Sequence, residues 1–152
     1  NLSIIKSVIK SNKIRSDLLL KRVSLIMKNK IKNKKISFLG VTFKANTDDM
    51  RDSSSLKMIP HLSKKGAIIN YYDPTGFKKE FSKLKNVSFC KNAKLALADS
   101  DLVIIHTEWN DFKSLNFKSL IKKKNFAIFD MRNIFSLSKM LKEKIKYYSV
   151  GR

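Results

Sequence analysis

The chain has 152 residues, a length typical of one domain, and 43% of them are apolar, which is enough for a packed core. Its four glycines, two prolines and single cysteine exclude a collagen-like chain, a disulfide framework and a multi-cysteine zinc site. No apolar run approaches the roughly 18–20 residues of a membrane span, and the start does not resemble a signal peptide. We therefore interpret the sequence as a soluble, cytoplasmic piece of a longer polypeptide.

The charge of the chain is strongly positive. Thirty-three Lys and Arg residues against twelve Asp and Glu residues give a net charge of +21. Such an excess suits a polyanion, so a basic nucleic-acid-binding module is one alternative. The lysines, however, are spread along the chain between Asn, Ile and Phe, a pattern typical of compositional drift. An anionic small substrate fits the charge equally well and needs only a few of the cations.

Residues 2–28 predict one long amphipathic helix without Gly or Pro. Side chains at alternating spacings of four and three form a seam along it: Ile5, Ile9, Asn12, Ser16, Leu19, Val23 and Ile26. Such a seam is typical of an interface with a partner. Packing against the helix's own domain is the alternative that the pattern leaves open.

From residue 34 onward, strand and helix patterns alternate. Strands are predicted at 35–41, 67–72, 87–90, 101–107, 126–130 and 147–151. Helices are predicted at 53–65, 77–85, 92–98, 114–123 and 136–144. In the first of these helices Asp52 or Ser53 is the expected N-cap, and Pro60 is expected to kink the helix or end its regular part.

This alternation with short links predicts a doubly wound parallel α/β sheet preceded by a long helix. The predicted domains are 1–33, a helix with its linker, and 34–152, the α/β domain. Ligands of such sheets bind outside the carboxyl ends of the strands. The loops that begin near Gly40, Asp73, Thr107 and Asp130 should therefore share one rim.

The loop 43–53 is the densest candidate for function on this rim. It holds the aromatic Phe43, two cations and three carboxylates, and it leads into a helix N-terminus, a combination that favours phosphate. The alternative is that its aspartates cap the following helix and pair with Arg51. Of the Gly-x-Gly-x-x-Gly fingerprint for NAD only Gly40 is present, so a nucleotide held in another way is expected.

Arg132 follows a predicted buried strand, where an Arg is a good fork for phosphate or carboxylate. A bridge from Arg132 to Asp130 or Glu108 is the alternative.

The remaining candidate residues point to structure more than to chemistry. Cys90 has no neighbouring His or Gly-rich loop and is interpreted as a structural thiol. His61 is expected to be exposed, and His106 is expected to be a satisfied core or rim residue. Trp109 closes the edge of a pocket or fills the core. Two His and no Cys cluster predict no metal site.

Five motifs occur in a recognisable order: 43–51 (FKANTDDMR), 72–74 (YDP), 107–112 (TEWNDF), 129–133 (FDMRN) and 148–152 (YSVGR). In this order they resemble the C-terminal part of the UDP-glucose 6-dehydrogenase family of nucleotide-sugar dehydrogenases. The resemblance covers nearly the whole chain. It implies a Rossmann-like domain that binds the UDP part of UDP-glucose or a related UDP-sugar. It also implies that helix 2–28 is the family's central helix, with Asn12 at its early Asn, and that the protein is a homodimer through this helix.

The resemblance further implies specific roles for residues of this chain. Phe43, Lys44 and Arg132 match the family's contacts with the UDP-sugar, and Arg51 matches the Arg that reaches the NAD pyrophosphate. Met131 stands where the family usually has Gly. The family oxidises the sugar C6 hydroxyl to a carboxylate with two NAD and a catalytic Cys.

The NAD domain and that Cys are expected upstream of Asn1, and Cys90 does not match it. No catalytic residue is therefore expected here, and the chain alone is expected to be inactive. Besides the nucleic-acid alternative, a dimerisation module without ligand function stays open.

Overall fold

The computed structural model describes residues 2–151, apart from the side chain of Asn12. The seam position at Asn12 and the last motif residue, Arg152, therefore lie outside the described part. The chain divides into two compact units, Asn1–Lys30 and Ile31–Arg152.

The first unit is dominated by a single helix, α1 (Leu2–Ile26), which ends two residues before the predicted boundary. Two seam residues in its first half, Ile5 and Ile9, are 57% and 63% exposed. Other large apolar side chains of α1 are exposed as well: Leu2, Ile4, Val8, Ile14, Leu18 and Leu25. The helix thus presents apolar surface to solvent within this chain.

The second unit is built on a six-stranded sheet, which confirms the predicted fold class. The strands are β1 (Lys35–Leu39), β2 (Ile68–Tyr72), β3 (Val87–Phe89), β4 (Leu102–Ile105), β5 (Ala127–Asp130) and β6 (Lys146–Ser149). Their order is β3-β2-β1-β4-β5-β6, and every neighbouring pair is parallel. The winding direction reverses between β1 and β4, so the carboxyl ends of these two strands flank the crevice where such folds bind ligands.

The central strands are buried because helices cover both faces of a parallel sheet. All four residues of β4 and of β5 are buried, as expected for the continuous apolar sequence of β4 and for the buried strand predicted at 126–130. Phe112, Phe117 and Ile128 belong to a large apolar cluster on the sheet and are at most 1% exposed.

The helices of this unit are α2 (Ser55–Lys64), α3 (Ala93–Leu97), α4 (Phe117–Leu120) and α5 (Leu137–Lys142). The three short ones begin at polar caps: the side chains of Asn92, Asn116 and Ser136 accept hydrogen bonds from the third helical N–H. The helix expected at 77–85 is wrong, since only a 3₁₀ turn, Lys79–Phe81, forms there. Phe81 is its one buried residue, so the segment has no apolar face that would stabilise further turns.

The predicted start of α2 is also wrong. Its N-cap is Ser54, not Asp52 or Ser53. Asp52 has a left-handed φ of 59°, and the Ser53 hydroxyl donates to the Val41 carbonyl at 2.6 Å. Both residues therefore shape the loop that precedes the helix.

Pro60 lies inside α2 and does not end it, because the helix continues to Lys64. The carbonyl that Pro60 leaves unbonded belongs to Leu56, which is 37% exposed and so open to water.

Candidate functional site

A cavity of about 590 Å³ lies at the carboxyl edge of the sheet. Its lining includes Lys44, Asn46, Glu108, Lys113, Arg132 and Asn133. These residues come from the loops after β1, β4 and β5, so three of the loops expected on one rim do meet. Lys44 and Arg132, far apart in sequence, share the cavity.

The path of the loop after β1 is fixed by a buried carboxylate. Asp73, which follows β2, is 1% exposed, and its Oδ2 accepts from the backbone N–H of Val41 at 2.8 Å and of Thr42 at 3.4 Å. The N–H of Thr75 bonds its other oxygen, Oδ1, at 3.0 Å. This charge is satisfied by donors rather than by a ligand, so Asp73 positions the loop and leaves Lys44 to face the cavity.

Arg132 is held by two backbone carbonyls from other loops. Its Nε donates to the His106 carbonyl at 2.8 Å and its Nη2 donates to the Phe43 carbonyl at 3.1 Å. The same Nε lies 3.1 Å from Glu108 Oε2, so the bridge to Glu108 that the sequence left open is present as an ion pair. Because a guanidinium has five N–H donors, further donors remain for an anion in the cavity.

The loop that carries Arg132 is itself anchored. The Arg132 backbone N–H donates to Oδ1 of Asp130 at 3.0 Å. The other oxygen of this fully buried carboxylate accepts from the N–H of Phe135 at 3.1 Å and from the hydroxyl of Tyr147 at 2.8 Å. The guanidinium therefore projects from a turn that is fixed at its base.

Met131, in the position where the resemblance suggests Gly, does not require a left-handed backbone. The positive φ in this turn, 54°, falls on Asn133, and Asn tolerates that region. Met131 is 8% exposed, and its side chain does not line the cavity.

The charge of the cavity favours an anion. Three cations, Lys44, Lys113 and Arg132, face a single carboxylate, Glu108. Glu108 Oε2 has no hydrogen-bond partner of proper direction within residues 2–151, since the nearby Arg132 Nε–H points to the His106 carbonyl. An excess of positive charge in a concave site raises the local concentration of anionic ligands.

The other two candidate residues, Phe43 and Arg51, do not line this cavity. The side chain of Phe43 is 48% exposed, while its backbone contributes the carbonyl that holds Arg132. Arg51 forms a two-point contact with Asp49, at 3.0 Å from Nε and 2.9 Å from Nη2, and its side chain is 89% exposed. These hydrogen bonds lower the pKa of Asp49 to about 2. Arg51 is not part of the cavity lining, and the pairing with an aspartate that the sequence left open is present.

Two further sequence candidates have the structural role expected for them. His106 is 1% exposed and makes hydrogen bonds to Ser54 and Thr107, which confirms a satisfied rim residue. Burial, and secondarily the charge of Arg132, lower its pKa to about 3, so the ring is neutral. Cys90 is a half-buried free thiol whose pKa is raised by burial, the opposite of an activated nucleophile.

The last two candidates differ from each other in exposure. Trp109 packs partly buried against the apolar cluster, and His61 is exposed. Among the described residues no group of three or more His, Cys, Asp or Glu side chains could hold a metal ion.

Sequence reasoning did not select Lys113 or the two asparagines of the cavity. Lys113 lies in a 3₁₀ turn, Asn110–Ser114, that follows β4. Because ligands of such sheets bind at the carboxyl ends of the strands, its position after β4 could have identified Lys113 as a candidate. Asn46 and Asn133 have φ values of 60° and 54°, which bring their loops back toward the cavity. In the sequence, the signal for these two asparagines was their position in polar loops.

A parallel sheet with a cationic cavity at its switch point defines a nucleotide-binding type of domain. Residues 37–137 match the family model described as the UDP-glucose/GDP-mannose dehydrogenase family, UDP binding domain. The chain belongs to this family. None of the helices within residues 2–151 combines the length and the apolarity that crossing a membrane requires.

Similar proteins agree with the family. The UDP-glucose 6-dehydrogenase of Rickettsia prowazekii (strain Madrid E) is 36% identical over 151 residues, which cover 97% of this chain and 35% of the relative. The UDP-glucose 6-dehydrogenase TuaD of Bacillus subtilis (strain 168) is 32% identical over 153 residues, covering 98% of this chain and 32% of that protein. The chain thus spans about a third of the length of these relatives.

A solved UDP-glucose dehydrogenase from Pyrobaculum islandicum has the same fold. It superposes with a TM-score of 0.74 at 24% identity, over 96% of this chain and 32% of that one.

Proposed function

We propose that this chain is the UDP-sugar-binding part of a UDP-glucose 6-dehydrogenase, which oxidises the C6 hydroxyl of UDP-glucose to a carboxylate. The proposal depends on one observation: Lys44 and Arg132 line the same cavity, at the switch point of a domain of this family. Diphosphate is a compact anion, and the cavity has an excess of two positive charges over negative ones among Lys44, Lys113, Arg132 and Glu108.

Each candidate residue has a distinct task in this proposal. Arg132 offers its unused N–H groups to two diphosphate oxygens, because a guanidinium matches phosphate geometry at two points. Lys44 adds a mobile point charge at the opposite loop. Phe43, with its ring 48% exposed, offers an apolar face to the uracil or the sugar.

The NAD site belongs mainly to another part of the enzyme in this proposal. A single glycine, Gly40, follows β1 in place of the dinucleotide fingerprint, so the residues of this chain do not form a dinucleotide cradle. In this proposal Arg51, whose side chain is 89% exposed, adds one cation to the NAD pyrophosphate. We assign the catalytic Cys and the hydride transfer to NAD to the two thirds of the relatives' length that this chain does not match. The chain alone is expected to bind UDP without turning over substrate.

The binding experiment compares UDP, uridine and GDP as ligands of the purified chain in isothermal titration calorimetry and thermal unfolding. UDP is expected to bind and to stabilise the fold by about 2.7 kcal/mol at a hundred times its dissociation constant. Uridine, which lacks phosphate, is expected to bind far more weakly, and GDP reports on base selectivity. A folded chain that shows no response to millimolar UDP contradicts the proposal. Tight oligonucleotide binding with steep salt dependence would favour the nucleic-acid alternative instead.

We also propose that the protein is a homodimer through α1. Exposed apolar side chains on one helix are typical of an interface, and Ile5 and Ile9 are more than half exposed here. The double substitution Ile5→Glu with Ile9→Glu is expected to convert a dimer to a monomer in sedimentation velocity. The control is Leu141→Glu on α5, which changes an equally exposed apolar residue, at 62%, outside the helix. A monomeric parent chain at micromolar concentration would overturn this part of the proposal.

A further inference from the structure

A chain of hydrogen-bonded polar side chains, buried at His106 and Thr107 and part-buried at Ser54, joins loops at the carboxyl edge of the sheet. It starts at Ser54, whose Oγ is 2.8 Å from His106 Nε2. His106 Nδ1 is in turn 3.1 Å from Oγ1 of the next residue, Thr107, and that hydroxyl donates to the Thr42 carbonyl at 2.9 Å. His106 and Thr107 are at most 1% exposed, so water does not compete for these bonds. The chain connects the N-cap of α2 with the loop that carries Lys44.

The direction of the protons along this chain follows from counting donors. The Thr107 hydroxyl has one proton, which it donates to the Thr42 carbonyl, so its oxygen is left to accept from His106. His106 must then carry its proton on Nδ1, which leaves Nε2 as an acceptor for the Ser54 hydroxyl. With the proton on Nε2 instead, the lone pair of Nδ1 would face a lone pair of the Thr107 hydroxyl oxygen, and this contact would be repulsive. This use of its hydroxyl explains why Ser54 makes no side-chain cap on α2.

The bond to Thr42 fixes one particular peptide unit. The Thr42 carbonyl and the Phe43 N–H belong to the same peptide plane. The carbonyl accepts from Thr107, and the N–H donates to the Asp49 carbonyl at 2.9 Å. With both sides of the plane held, the Phe43 carbonyl that follows points at Arg132 Nη2.

His106 supplies the second anchor of Arg132 as well. Its own carbonyl accepts from Arg132 Nε at 2.8 Å, and its N–H donates to the Leu39 carbonyl of β1 at 3.0 Å. The imidazole restrains the residue whose backbone orients the guanidinium, and it orients the Thr107 hydroxyl that holds the other carbonyl. Consecutive hydrogen bonds in a low-dielectric interior strengthen one another.

We propose that His106 is a positioning residue of the nucleotide site: as the neutral Nδ1–H tautomer it transmits a one-way hydrogen-bond chain from Ser54 to the Thr42 carbonyl and so fixes the two carbonyls that orient Arg132. The expected effect on nucleotide affinity rests on the proposed function. The hydrogen-bond chain and the order of Arg132 are measurable without any ligand.

The test uses the variants His106→Leu, His106→Asn, Thr107→Val and Ser63→Ala. Leu removes both ring nitrogens, whereas the Asn amide keeps a donor near the position of Nδ1. Thr107→Val removes the hydroxyl itself. Ser63→Ala is the control, because it removes a half-buried hydroxyl that bonds to Asn86 and takes no part in the hydrogen bonds from Ser54 to Thr42.

Nitrogen NMR of the ligand-free parent chain is the first measurement. It is expected to show His106 protonated on Nδ1 and unchanged between pH 5 and 8, in agreement with its neutral, buried state. The Arg132 Nε–H is expected to exchange slowly with water in the parent, in His106→Asn and in Ser63→Ala. It is expected to exchange much faster in His106→Leu and Thr107→Val. If fast exchange in His106→Leu came only from a packing defect, His106→Asn would show it too, because Asn is also smaller than His.

UDP affinity is the second measurement. Thr107→Val and His106→Leu are expected to weaken UDP binding about tenfold, the equivalent of one lost hydrogen bond. His106→Asn and Ser63→Ala are expected to stay within about twofold of the parent on the same scale. A His106 that titrates between pH 5 and 8, or that carries its proton on Nε2, overturns the proposal. So does a slow Arg132 Nε–H in His106→Leu. If the parent does not bind UDP at all, the proposed function fails, while the exchange of Arg132 Nε–H still decides the positioning role.

Discussion

The two edges of the sheet each carry a basic cavity, and the two cavities are built differently. The cavity at the carboxyl edge contains an Arg whose guanidinium is fixed by two backbone carbonyls. The cavity at the amino edge, about 300 Å³, is more basic and is lined by Lys118, Lys122, Lys123, Lys124 and Lys144. Of these, Lys123 is paired at 2.9 Å with Asp101, a residue that also accepts from the Lys35 backbone. Lys118, Lys122, Lys124 and Lys144 are exposed.

The comparison of the two cavities indicates that local charge alone does not define a binding site in this protein. A flexible lysine must lose about 1.5–2 kcal/mol of side-chain entropy to be fixed on a ligand. Arg132 is already ordered before a ligand arrives. Exposed lysine charges are also screened strongly by salt. We therefore expect selective binding at the carboxyl edge and weak, unselective attraction of anions at the amino edge.

The largest effect on stability is expected for a substitution at Gly40, at the carboxyl edge of the sheet. A Cβ at Gly40 would lie 2.5 Å from Thr107 Cβ, and the φ of Gly40 is +73°. Gly40→Ala is therefore expected to lower the free energy of unfolding by about 3 kcal/mol or more, from steric overlap and left-handed strain together. Urea unfolding followed by circular dichroism measures the loss.

Gly66 near the amino edge provides the comparison. Its φ is +84°, but a Cβ there would come closest to the flexible side chain of Lys32, at 3.1 Å from Cγ, and would lie at an ordinary contact distance of 3.6 Å from Lys32 Cα. Gly66→Ala is expected to cost about 1 kcal/mol, mostly from strain. Equal losses in the two variants would mean that the two edges do not differ in packing.

The second effect is on ligand affinity. Arg132→Ala removes charge-assisted hydrogen bonds to the diphosphate, each worth about 1.5–3 kcal/mol, so UDP affinity is expected to fall about a hundredfold. Lys144→Ala, which removes a cation from the amino-edge cavity, is expected to leave UDP affinity unchanged within about twofold. Calorimetric titration of both variants decides the question. A loss of similar size in both would show that total charge, and not the cavity at the carboxyl edge, governs binding.

The sequence predicted the framework of this edge better than its details. The apolar run Leu102–Ile105, the mostly apolar segment before Asp130 and the regular alternation of elements were sufficient for the parallel sheet. The sheet places Lys44 and Arg132 on one rim. The contact between Arg132 and the Phe43 carbonyl was not predictable, because it joins groups 89 positions apart in sequence. Such contacts depend on loop backbone conformation, which side-chain patterns do not encode.

The same limit explains the error at the start of α2. Asp52 is a good N-cap by residue type, but its left-handed backbone turns the chain before the helix begins. The residue that does occupy the N-cap position, Ser54, uses its hydroxyl to bond to His106 instead of capping the helix.

The third effect is on stability as a function of pH. The pKa of His106 is lowered to about 3 by burial, with the Arg132 charge as the smaller cause, whereas in the unfolded chain it is near its ordinary 6.5. Between these values the unfolded state binds a proton that the folded state does not, so the free energy of unfolding falls as the pH drops below about 6.5. The slope approaches about 1.4 kcal/mol per pH unit, and above pH 6.5 the group contributes nothing to the pH dependence.

This slope can be assigned to His106 by urea unfolding at pH 7.0, 6.0, 5.0 and 4.5. The carboxylates, with ordinary pKa values of about 4, begin to titrate at the acid end of this range, and they do so in the parent and in the variants alike, so the difference between the curves reports His106. His106→Asn is expected to flatten the curve in that window, and Ser63→Ala to preserve the parent's slope. A parent curve that is flat down to pH 4.5 would mean that the carboxyl edge opens to water around His106.

The smallest effect is expected for the mobile cation of the carboxyl-edge cavity. Lys44 is exposed, and its side chain, unlike that of Arg132, makes no hydrogen bond within residues 2–151. Lys44→Ala is expected to weaken UDP binding about fivefold, because a partly solvated ammonium contributes about 1 kcal/mol. The contribution of Lys44 should also be the more sensitive to salt, since Lys44 is a solvated charge, whereas the Arg132 guanidinium is held in place by two backbone carbonyls. Titrations at 50 mM and 500 mM NaCl separate the two residues: the deficit of Lys44→Ala should shrink at high salt while that of Arg132→Ala largely persists. If both deficits vanish together, Arg132 acts as a diffuse charge, and the fixed geometry that distinguishes the two edges has no role in binding.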